Sequence, residues 1–218
     1  MDKIGLLFSK KDYLDRFVNE LCLKVNYFKK ELISDDLVTV ELRTHKLYFL
    51  LVGRGQNNAV IGGAKLYHNY NCKTIVSIDT CTWVHSQDSV KVGEIREFRR
   101  NIINYDYKRR PELFHYDECG VSDYSLLFDC MSEDKIKGNL LMTTNNDVSS
   151  SEIMDNLKLK WRKYENIFYD DSGYGILAYC TCNCLKYVII RVVKGLVDNL
   201  SVECMDKVVD YCIENEII

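Results

Sequence analysis

Two neighbouring carboxylates and a hydroxyl precede an apolar segment late in the chain. Asp170, Asp171 and Ser172 come just before the run that begins at Ile176, where the sequence predicts a helix over 176–185. Carboxylates at such a place can bind a ligand or take part in acid–base catalysis. They can equally cap the N-terminus of the helix, where a negative charge is stabilising. Both roles stay open for Asp170 and Asp171.

A second candidate lies in a glycine turn. Arg54 stands between Gly53 and Gly55, at the start of a helix predicted over 57–70. The N-terminus of a helix attracts anions, so Arg54 could bind a negatively charged group there. The alternative is that the two glycines serve the turn alone and Arg54 is a solvated charge.

Metal and cofactor chemistry is not indicated. The ten cysteines contain no CxxC pair, and the four histidines are scattered along the chain. We therefore predict no metal site and no cofactor, and we interpret the cysteines as small hydrophobic residues with reduced thiols.

The elements that must position these residues alternate between strand and helix. The buried segment 48–52, the helix over 57–70 and the buried segment 74–78 form a βαβ unit, which implies parallel strands with a cleft at the strand ends. Residues 79–83 are predicted to leave the sheet at its carboxyl end. Further strands are predicted over 4–8, 38–42, 47–52, 94–103, 139–143 and 187–193, and further helices over 12–23, 153–164 and 202–214. We predict a single domain over 1–218, of the three-layer α/β/α class with a mixed central sheet.

Composition narrows the function classes. The net charge is −3, so a broad nucleic-acid-binding surface is not indicated, and the basic cluster over 96–110 is interpreted as a solvated charge run. No apolar run approaches the length of a membrane span. The first residues form a short strand pattern followed by Lys10, Lys11 and Asp12, which is unlike a signal peptide. We predict a cytoplasmic protein without membrane segments.

The order of the elements resembles the nucleoside phosphorylase and nucleosidase superfamily, most closely the 5′-methylthioadenosine/S-adenosylhomocysteine nucleosidases. The turn at Gly53, Gly55 and Ala59 looks like the family's Gly-x-Gly-Lys-x-x-Ala pattern. Segment 90–95 reads Val-Lys-Val-Gly-Glu-Ile and is similar to the family's (Leu/Val)-Lys-Val-Gly-Asp-(Ile/Val). The strand at 4–8 and the turn, helix, strand and loop over 170–198 follow at matching spacing. The resemblance implies a nucleoside phosphorylase-like fold, a homo-oligomer, and cleavage of an N-glycosidic bond in a cleft at the strand ends.

The positions that carry the family's chemistry differ in this chain. The water-activating glutamate of the family falls at Tyr13, with Asp12 adjacent. The second glutamate of its Glu-Met-Glu turn, which binds the ribose hydroxyls, falls at Ser172. Its catalytic Ser-Asp pair falls at 194–195, and Asp198 lies three residues further along. The resemblance therefore leaves Asp12, Asp171 and Asp198 as the candidate catalytic carboxylates.

The ligand pocket implied by the resemblance is also altered. The family's Gly-Ser-Ala-Gly-Gly loop falls at 79–83, where Thr80 keeps a hydroxyl and Trp83 adds bulk. Tyr169, with Tyr164 and Phe168, is a base-stacking candidate, although packing in the core is the alternative. We expect Arg54, Thr80, Tyr169, Asp170 and Ser172 to contact a nucleoside or nucleotide ligand.

Three functions remain open from the sequence. The first is a catalytically impaired relative of the nucleosidases that binds a nucleoside-like ligand. The second is a scaffold or interaction protein that keeps the fold for its surfaces. The third is an active purine nucleosidase or phosphorylase with displaced carboxylates. The loss of both the acid and the ribose-binding carboxylate favours the first two.

Overall fold

The computed structural model describes residues 1–86, 90–99, 102–104, 139–144, 164–194 and 202–218. Asp198 and nearly all of the helix predicted over 153–164 lie outside these residues. The strands are β1 (Asp2–Phe8), β2 (Lys29–Ser34), β3 (Leu37–Glu41), β4 (His45–Leu51), β5 (Thr74–Ser86), β6 (Ile95–Phe98), β7 (Ile102–Asn104), β8 (Asn139–Thr143), β9 (Asn166–Asp170) and β10 (Lys186–Lys194). The helices are α1 (Lys11–Lys24), α2 (Gln56–Tyr70), α3 (Gly173–Cys182) and α4 (Cys204–Glu214).

The described strands form one mixed sheet. Its main order is β2-β3-β4-β1-β5-β9-β8-β7, and β10 pairs with both β5 and β6. The predicted βαβ unit is confirmed, because β4, β1 and β5 run parallel, with β1 inserted between the two strands that α2 connects. The β3–β4 hairpin is antiparallel, as predicted.

Helices cover both faces of this sheet. Residues of α1 and α4 pack with Leu6, Val76 and Ile190 in one core layer. Residues of α2 and α3 pack with Ile75, Phe168 and Ile189 in the other. Neighbouring strand residues such as Ile189 and Ile190 point to opposite layers, as the period of two requires. The three-layer α/β/α prediction is therefore confirmed.

Three details differ from the sequence prediction. Residues 79–83 do not leave the sheet, because β5 continues to Ser86 and pairs with β9 and β10. The strand predicted over 94–103 is divided into β6 and β7. Strand β2 was not predicted, since both of its faces are exposed and it shows no alternation of apolar and polar residues.

Glycines bring α2 against its neighbours. Gly53 and Gly55 have φ of 76° and 96°, a backbone region that favours glycine, and they form the turn that leads into α2. A Cβ at Gly175 of α3 would lie 2.8 Å from the carbonyl oxygen of Gln56, so α2 and α3 pack with their backbones in close approach.

None of the described helices combines the length and the apolar character that a membrane span requires.

Candidate functional site

The sheet has an opening along one edge of β5. On the edge opposite β10, residues 74–78 of β5 pair with β1, and pairing resumes with β9 at Thr82. Asp79, Thr80 and Cys81 therefore lie between the end of β1 and the end of β9, and none of the described strands pairs with them on that edge. Ligands of α/β sheets bind where neighbouring strands diverge in this way. We call these three residues and the strand ends beside them the β5 opening.

Two buried polar residues stand in the β5 opening. Asp79 is 6% exposed and Thr80 is 7% exposed. The Thr80 backbone N–H donates to Asp79 Oδ1 at 2.8 Å, which leaves the Thr80 hydroxyl outside that bond. By strand alternation, Asp79 points towards the α2/α3 layer, like Ile75 and Cys81, and Thr80 points towards the α1/α4 layer, like Val76 and Ile78. The β5 opening thus offers a carboxylate on one face and a hydroxyl on the other.

Arg191 is a fully buried cation beside the opening, opposite Asp79 in the β10–β5 ladder. Its Nε donates to Asp170 Oδ2 at 2.7 Å, and its Nη2 donates to Ser172 Oγ at 3.1 Å. Its Nη1 lies within hydrogen-bond distance of Ser77 O and Oγ and of Ile190 O. Burial by itself lowers the pKa of Arg191, but the charges of Asp170 and Asp79 raise it above its ordinary value, so the guanidinium stays charged.

Asp170 serves the structure of the turn between β9 and α3. Its Oδ2 accepts from the Gly173 N–H at 2.9 Å, in addition to Arg191, and its Oδ1 accepts from the Thr143 hydroxyl at 2.7 Å. The Thr143 hydroxyl in turn accepts from the Tyr174 N–H at 2.8 Å. The carboxylate therefore satisfies the first turn of α3 and compensates a buried cation. Of the two roles left open by the sequence, helix capping is the one that its contacts support.

Ser172 occupies the position at which the resemblance places the ribose-binding carboxylate. It is 5% exposed and directly precedes α3. Its hydroxyl accepts from Arg191, so it is held in the same network as Asp170. A neutral hydroxyl engaged in this way is a weaker acceptor for a ligand diol than a free carboxylate.

Asp171 differs from Asp170 in its environment. Its side chain is 33% exposed, and its nearest cationic atom is Arg54 Nε, 3.8 Å from Oδ2. Burial, followed by the negative charges of Asp79 and Asp170, raises the pKa of this carboxyl above its ordinary range. Arg54 itself is 59% exposed and lies in the turn between β4 and α2. The structure thus brings Arg54 and Asp171 together across two turns that are remote in sequence.

The first turn of α1 presents Tyr13 to the interior. Tyr13 is 3% exposed, whereas Asp12 is exposed to solvent. Burial raises the pKa of the Tyr13 hydroxyl, and Lys10 Nζ lies 3.4 Å from that hydroxyl. The assignment of Asp12 as a catalytic residue therefore stays a prediction that its position does not support.

Ser9 follows β1 at the margin of the β5 opening. Its hydroxyl is buried and has no hydrogen-bond partner among the described residues. A buried hydroxyl without a partner is costly, and a ligand polar group in the opening would satisfy it.

The remaining candidate residues differ in burial and in the face of the sheet on which they lie. Tyr169 is half-buried in β9, opposite Thr82, and points away from the layer that contains Phe168. Trp83 is half-buried and packs against the α2/α3 layer, so its indole contributes to the core. Lys194 ends β10, and Gly195 lies outside the described residues, as Asp198 does.

Sequence reasoning missed three residues of the site: Asp79 as a carboxylate, Ser9 and Arg191. A signal for Arg191 was available, because it is the one charged residue inside the β-branched run 188–193. A lone cation in a buried strand requires a buried partner. Within the described residues, no group of three or more His, Cys, Asp or Glu side chains could hold a metal ion.

A groove of about 990 Å³ lies at the other end of the sheet, at the amino ends of β1, β4, β5 and β10. Lys3, Lys73, Lys186 and Arg99 line it together with Asp2 and Glu216. The helix C-termini at Asn71, Cys184 and Asn215 also face it, and their carbonyl ends offset the cationic charge. The β5 opening holds the buried polar groups, so we take it rather than this groove as the candidate site.

The chain matches solved structures over nearly its whole length. A mutant 5′-methylthioadenosine nucleosidase of Helicobacter pylori with 5′-methylthioadenosine in its active site superposes with a TM-score of 0.70 at 10% identity, covering 99% of both chains. A futalosine hydrolase mutant of the same species gives 0.68 at 8% identity, covering 99% of this chain and 100% of the other. The 5′-methylthioadenosine/S-adenosylhomocysteine nucleosidase of Streptococcus pneumoniae gives 0.63 at 15% identity, covering 98% and 92%.

No family model and no curated protein matches the sequence. The structural likeness nevertheless shows the fold, which is that of the nucleoside phosphorylase and nucleosidase superfamily. The resemblance inferred from the order of the sequence motifs is confirmed at the level of the fold.

Proposed function

We propose that the protein binds a nucleoside-like ligand in the β5 opening and cleaves its N-glycosidic bond poorly or not at all. The observation that carries the proposal is the edge of β5 opposite β10, where no described strand pairs with Asp79, Thr80 and Cys81, next to the Ser9 hydroxyl, which has no hydrogen-bond partner among the described residues. An open strand edge with buried polar groups at its margin is a site where a polar ligand replaces missing contacts.

The class of ligand follows from the solved structures of the same fold. The nucleosidase structures of Helicobacter pylori and Streptococcus pneumoniae contain 5′-methylthioadenosine and a transition-state inhibitor, respectively. A nucleoside carries ring nitrogens, hydroxyls and an apolar base. The Thr80 hydroxyl, the Ser9 hydroxyl and the half-buried ring of Tyr169 are suitable partners for these groups.

We infer impaired catalysis because the polar groups at the family's catalytic and sugar-binding positions are either replaced or already bonded within the protein. Departure of a base requires a proton donor and negative charge near the sugar in the transition state. Asp170 is engaged by Arg191 and the start of α3, Ser172 is neutral, and Tyr13 replaces the water-activating carboxylate. Loss of one such group typically costs about 3–4 kcal/mol of transition-state stabilisation.

An active enzyme is the alternative, and one observation favours it. Asp171 is a partly buried carboxyl whose pKa is raised by burial and by the negative charges of Asp79 and Asp170, which is the direction that a general acid requires. It would replace the missing donor only if its carboxyl reaches the base or sugar. Asp12 and Asp198 remain predictions of the same kind. A scaffold that binds no small molecule is the third candidate.

The binding experiment is a thermal-shift titration with adenosine, 5′-methylthioadenosine, inosine and free adenine. A ligand present at a hundred times its Kd stabilises the native state by about 2.7 kcal/mol and raises the Tm. Thr80→Val removes the site hydroxyl with little change of shape, and it should reduce the stabilisation by the ligand by up to about half. Thr39→Val is the matched control, because Thr39 is also a buried strand threonine but lies in β3.

The turnover experiment measures released base with protein in excess over nucleoside. We expect no release, or slow release that Asp171→Asn abolishes. Brisk turnover that survives Asp171→Asn contradicts the proposed impairment and directs attention to Asp198. Absence of both binding and turnover with every nucleoside leaves the scaffold function.

The proposal includes a cytoplasmic location. Burial raises the pKa of Cys72 and Cys180 to about 12, as expected of thiols that pack as apolar groups. Reduced thiols are expected in a reducing compartment such as the cytoplasm. Mass spectrometry of protein denatured without reductant should show all ten cysteines of the sequence as free thiols.

A further inference from the structure

Two cations lie where β1 and β4 end, beside the β5 opening. The Val52 N–H donates to Phe8 O at 2.9 Å, so these two strand ends are neighbours. Lys10 follows Phe8 by two residues and directly precedes α1, and Arg54 follows Val52 by two residues and precedes α2. Both side chains are exposed. One pair of adjacent strand ends therefore carries a solvent-accessible cation on each of its two chain segments.

Neither cation is held in a close ion pair. Among the described residues, the hydrogen-bond and cation–π contacts of Lys10 Nζ are with Tyr13 alone, 3.4 Å from the hydroxyl and 4.8 Å from the ring centroid. Arg54 Nε lies 3.8 Å from Asp171 Oδ2, which is beyond hydrogen-bond distance. The neighbouring Lys11 differs, because its Nζ lies 2.6 Å from Asp15 Oδ1. Lys10 and Arg54 can therefore bind an anion without first breaking a strong ion pair.

A third donor belongs to the same strand end. Ser9 directly follows β1, and its buried hydroxyl has no hydrogen-bond partner among the described residues. The first turn of α2 contains no acidic residue, and that of α1 contains only the exposed Asp12. A hydroxyl without an acceptor, next to two cations, suits an anion that has several acceptor oxygens.

The carboxylates of the β5 opening do not cancel this positive charge. Asp170 is paired with the buried Arg191, and Asp79 lies opposite Arg191 in the β10–β5 ladder. Asp171 is the carboxyl nearest to Arg54, and its pKa is raised by burial and then by the charges of Asp79 and Asp170. Its protonated form is therefore favoured more than that of an ordinary carboxyl, which lowers its repulsion of an anion beside Arg54.

We propose that Lys10, Arg54 and the Ser9 hydroxyl bind the phosphate group of a nucleoside monophosphate, whose base and sugar occupy the β5 opening. This inference rests on the proposed function, because the nucleoside part of the ligand uses the same opening. A phosphate monoester carries a charge of about −1.5 to −2 at pH 7, which two cations match. Arginine and lysine are the usual side chains that bind phosphate in proteins. An uncharged nucleoside makes no use of either cation, so the nucleotide should bind more tightly.

The first experiment compares ligands by calorimetric titration. The probes are adenosine and inosine, their 5′- and 3′-monophosphates, and each nucleoside in the presence of inorganic phosphate. At least one monophosphate should bind about tenfold or more tightly than its parent nucleoside, because it adds charge-assisted hydrogen bonds. Added salt should reduce this preference, since both cations are exposed. A nucleoside whose binding is strengthened only by free phosphate overturns the phosphate ester as the ligand.

The second experiment locates the phosphate group. Lys10→Met and Arg54→Gln should each weaken nucleotide binding by about tenfold and leave the affinity for the parent nucleoside unchanged. Lys11→Met is the matched control, because it removes an exposed charge from the adjacent residue, which is paired with Asp15. Lys73→Met tests the groove at the amino ends of the strands and should also have no effect. The Tm of each variant without ligand checks that it folds.

Asp171→Asn should act in the opposite direction. It removes the carboxylate nearest to Arg54, so the affinity for the nucleotide should rise relative to that for the nucleoside. A fall in this ratio contradicts the placement of the phosphate beside Arg54.

The outcomes separate this inference from the proposed function. Equal affinities for nucleotide and nucleoside overturn the inference and leave the proposed function intact, since Thr80→Val still tests nucleoside binding. A nucleotide preference that Lys73→Met removes and Lys10→Met does not remove also overturns the inference, because the phosphate then lies in the groove at the amino ends of the strands. Absence of binding for all nucleosides and nucleotides overturns both.

Discussion

The guanidinium of Arg191 and the carboxylate of Asp170 form a fully buried ion pair, with Nε 2.7 Å from Oδ2 and side-chain exposures of 0% and 1%. The pair joins β10 to the turn between β9 and α3, and Ser172 is attached to it. Ser172, where the resemblance places the ribose-binding carboxylate, is thus held in a structural network with Asp170. This relationship has a direct consequence for stability.

Asp170→Ala should destabilise the protein by about 3–5 kcal/mol, because it leaves a buried guanidinium without its counter-charge and removes the acceptor for Gly173 N–H. Urea unfolding measures the change. The double variant Asp170→Leu/Arg191→Met should lose less unfolding free energy than the single variant Asp170→Ala, since it leaves no buried charge. Asp206→Ala breaks the solvent-exposed pair with Arg16 and should cost below about 1 kcal/mol. Equal losses for the two alanine variants would refute the structural role of Asp170.

Asp171→Asn should change how stability depends on pH. The folded-state pKa of Asp171 is raised, so the folded protein retains this proton more tightly than the unfolded chain and loses stability as pH rises through the folded pKa. The variant should therefore be the more stable protein at neutral pH. The difference should disappear below the ordinary carboxyl pKa of about 3.9, where both states are protonated. Urea unfolding midpoints of the variant and the parent, measured from acid to neutral pH, give this difference in stability. If the variant loses stability relative to the parent as the pH rises from 3 to 7, the predicted direction of the pKa shift is wrong.

Gly175→Ala should destabilise the protein by about 1–3 kcal/mol, because the new Cβ would lie 2.8 Å from the backbone oxygen of Gln56 and force α2 and α3 apart. Glycine to alanine within a helix ordinarily stabilises by about 1 kcal/mol, so the expected sign is diagnostic. Gly63→Ala is the comparison, since its Cβ would meet only the side chain of Tyr179, at 3.1 Å. In thermal unfolding, the Tm of Gly175→Ala should be well below that of Gly63→Ala. The reverse order would show that α2 can move to accommodate the new Cβ.

Thiol labelling should divide the cysteines into two groups. Cys182 and Cys184 are exposed, whereas Cys72, Cys180 and Cys212 are buried with pKa values of about 12. A thiol-specific reagent at pH 8 should modify the first group quickly and the second only when the protein unfolds. Peptide mapping after a short exposure identifies the modified sites. Rapid labelling of Cys180 in folded protein would show that α3 opens locally.

Nucleoside binding should depend on Thr80 far more than on Thr39. Loss of one hydrogen bond to a ligand costs about 0.5–1.5 kcal/mol, or up to roughly tenfold in Kd. Calorimetric titration of Thr80→Val and Thr39→Val with the best ligand of the panel measures the difference. Equal affinities would place the ligand outside the β5 opening.

Much of the architecture follows from local pattern. The apolar runs of β1, β4 and β10 and the small residues of α2 are visible in the sequence because burial on two faces, or against another backbone, restricts the residue type at each position. The absence of a carboxylate at Ser172 and at Tyr13 is equally a matter of sequence. These features determined the fold class and the expectation of altered chemistry.

The tertiary structure decided which groups meet. Residues 79–83 follow the end of an apolar run and fall where the resemblance places a ligand loop, yet they continue β5, because β9 and β10 supply the hydrogen bonds that hold them in the sheet. Whether Asp170 faced a ligand or a helix depended on Arg191, a residue 21 positions away that only strand pairing brings to it. The opening between β1 and β9 likewise arises from where two remote strands stop. Sequence patterns report the burial of each residue, whereas partners across the sheet are set by the register of strands far apart in the chain.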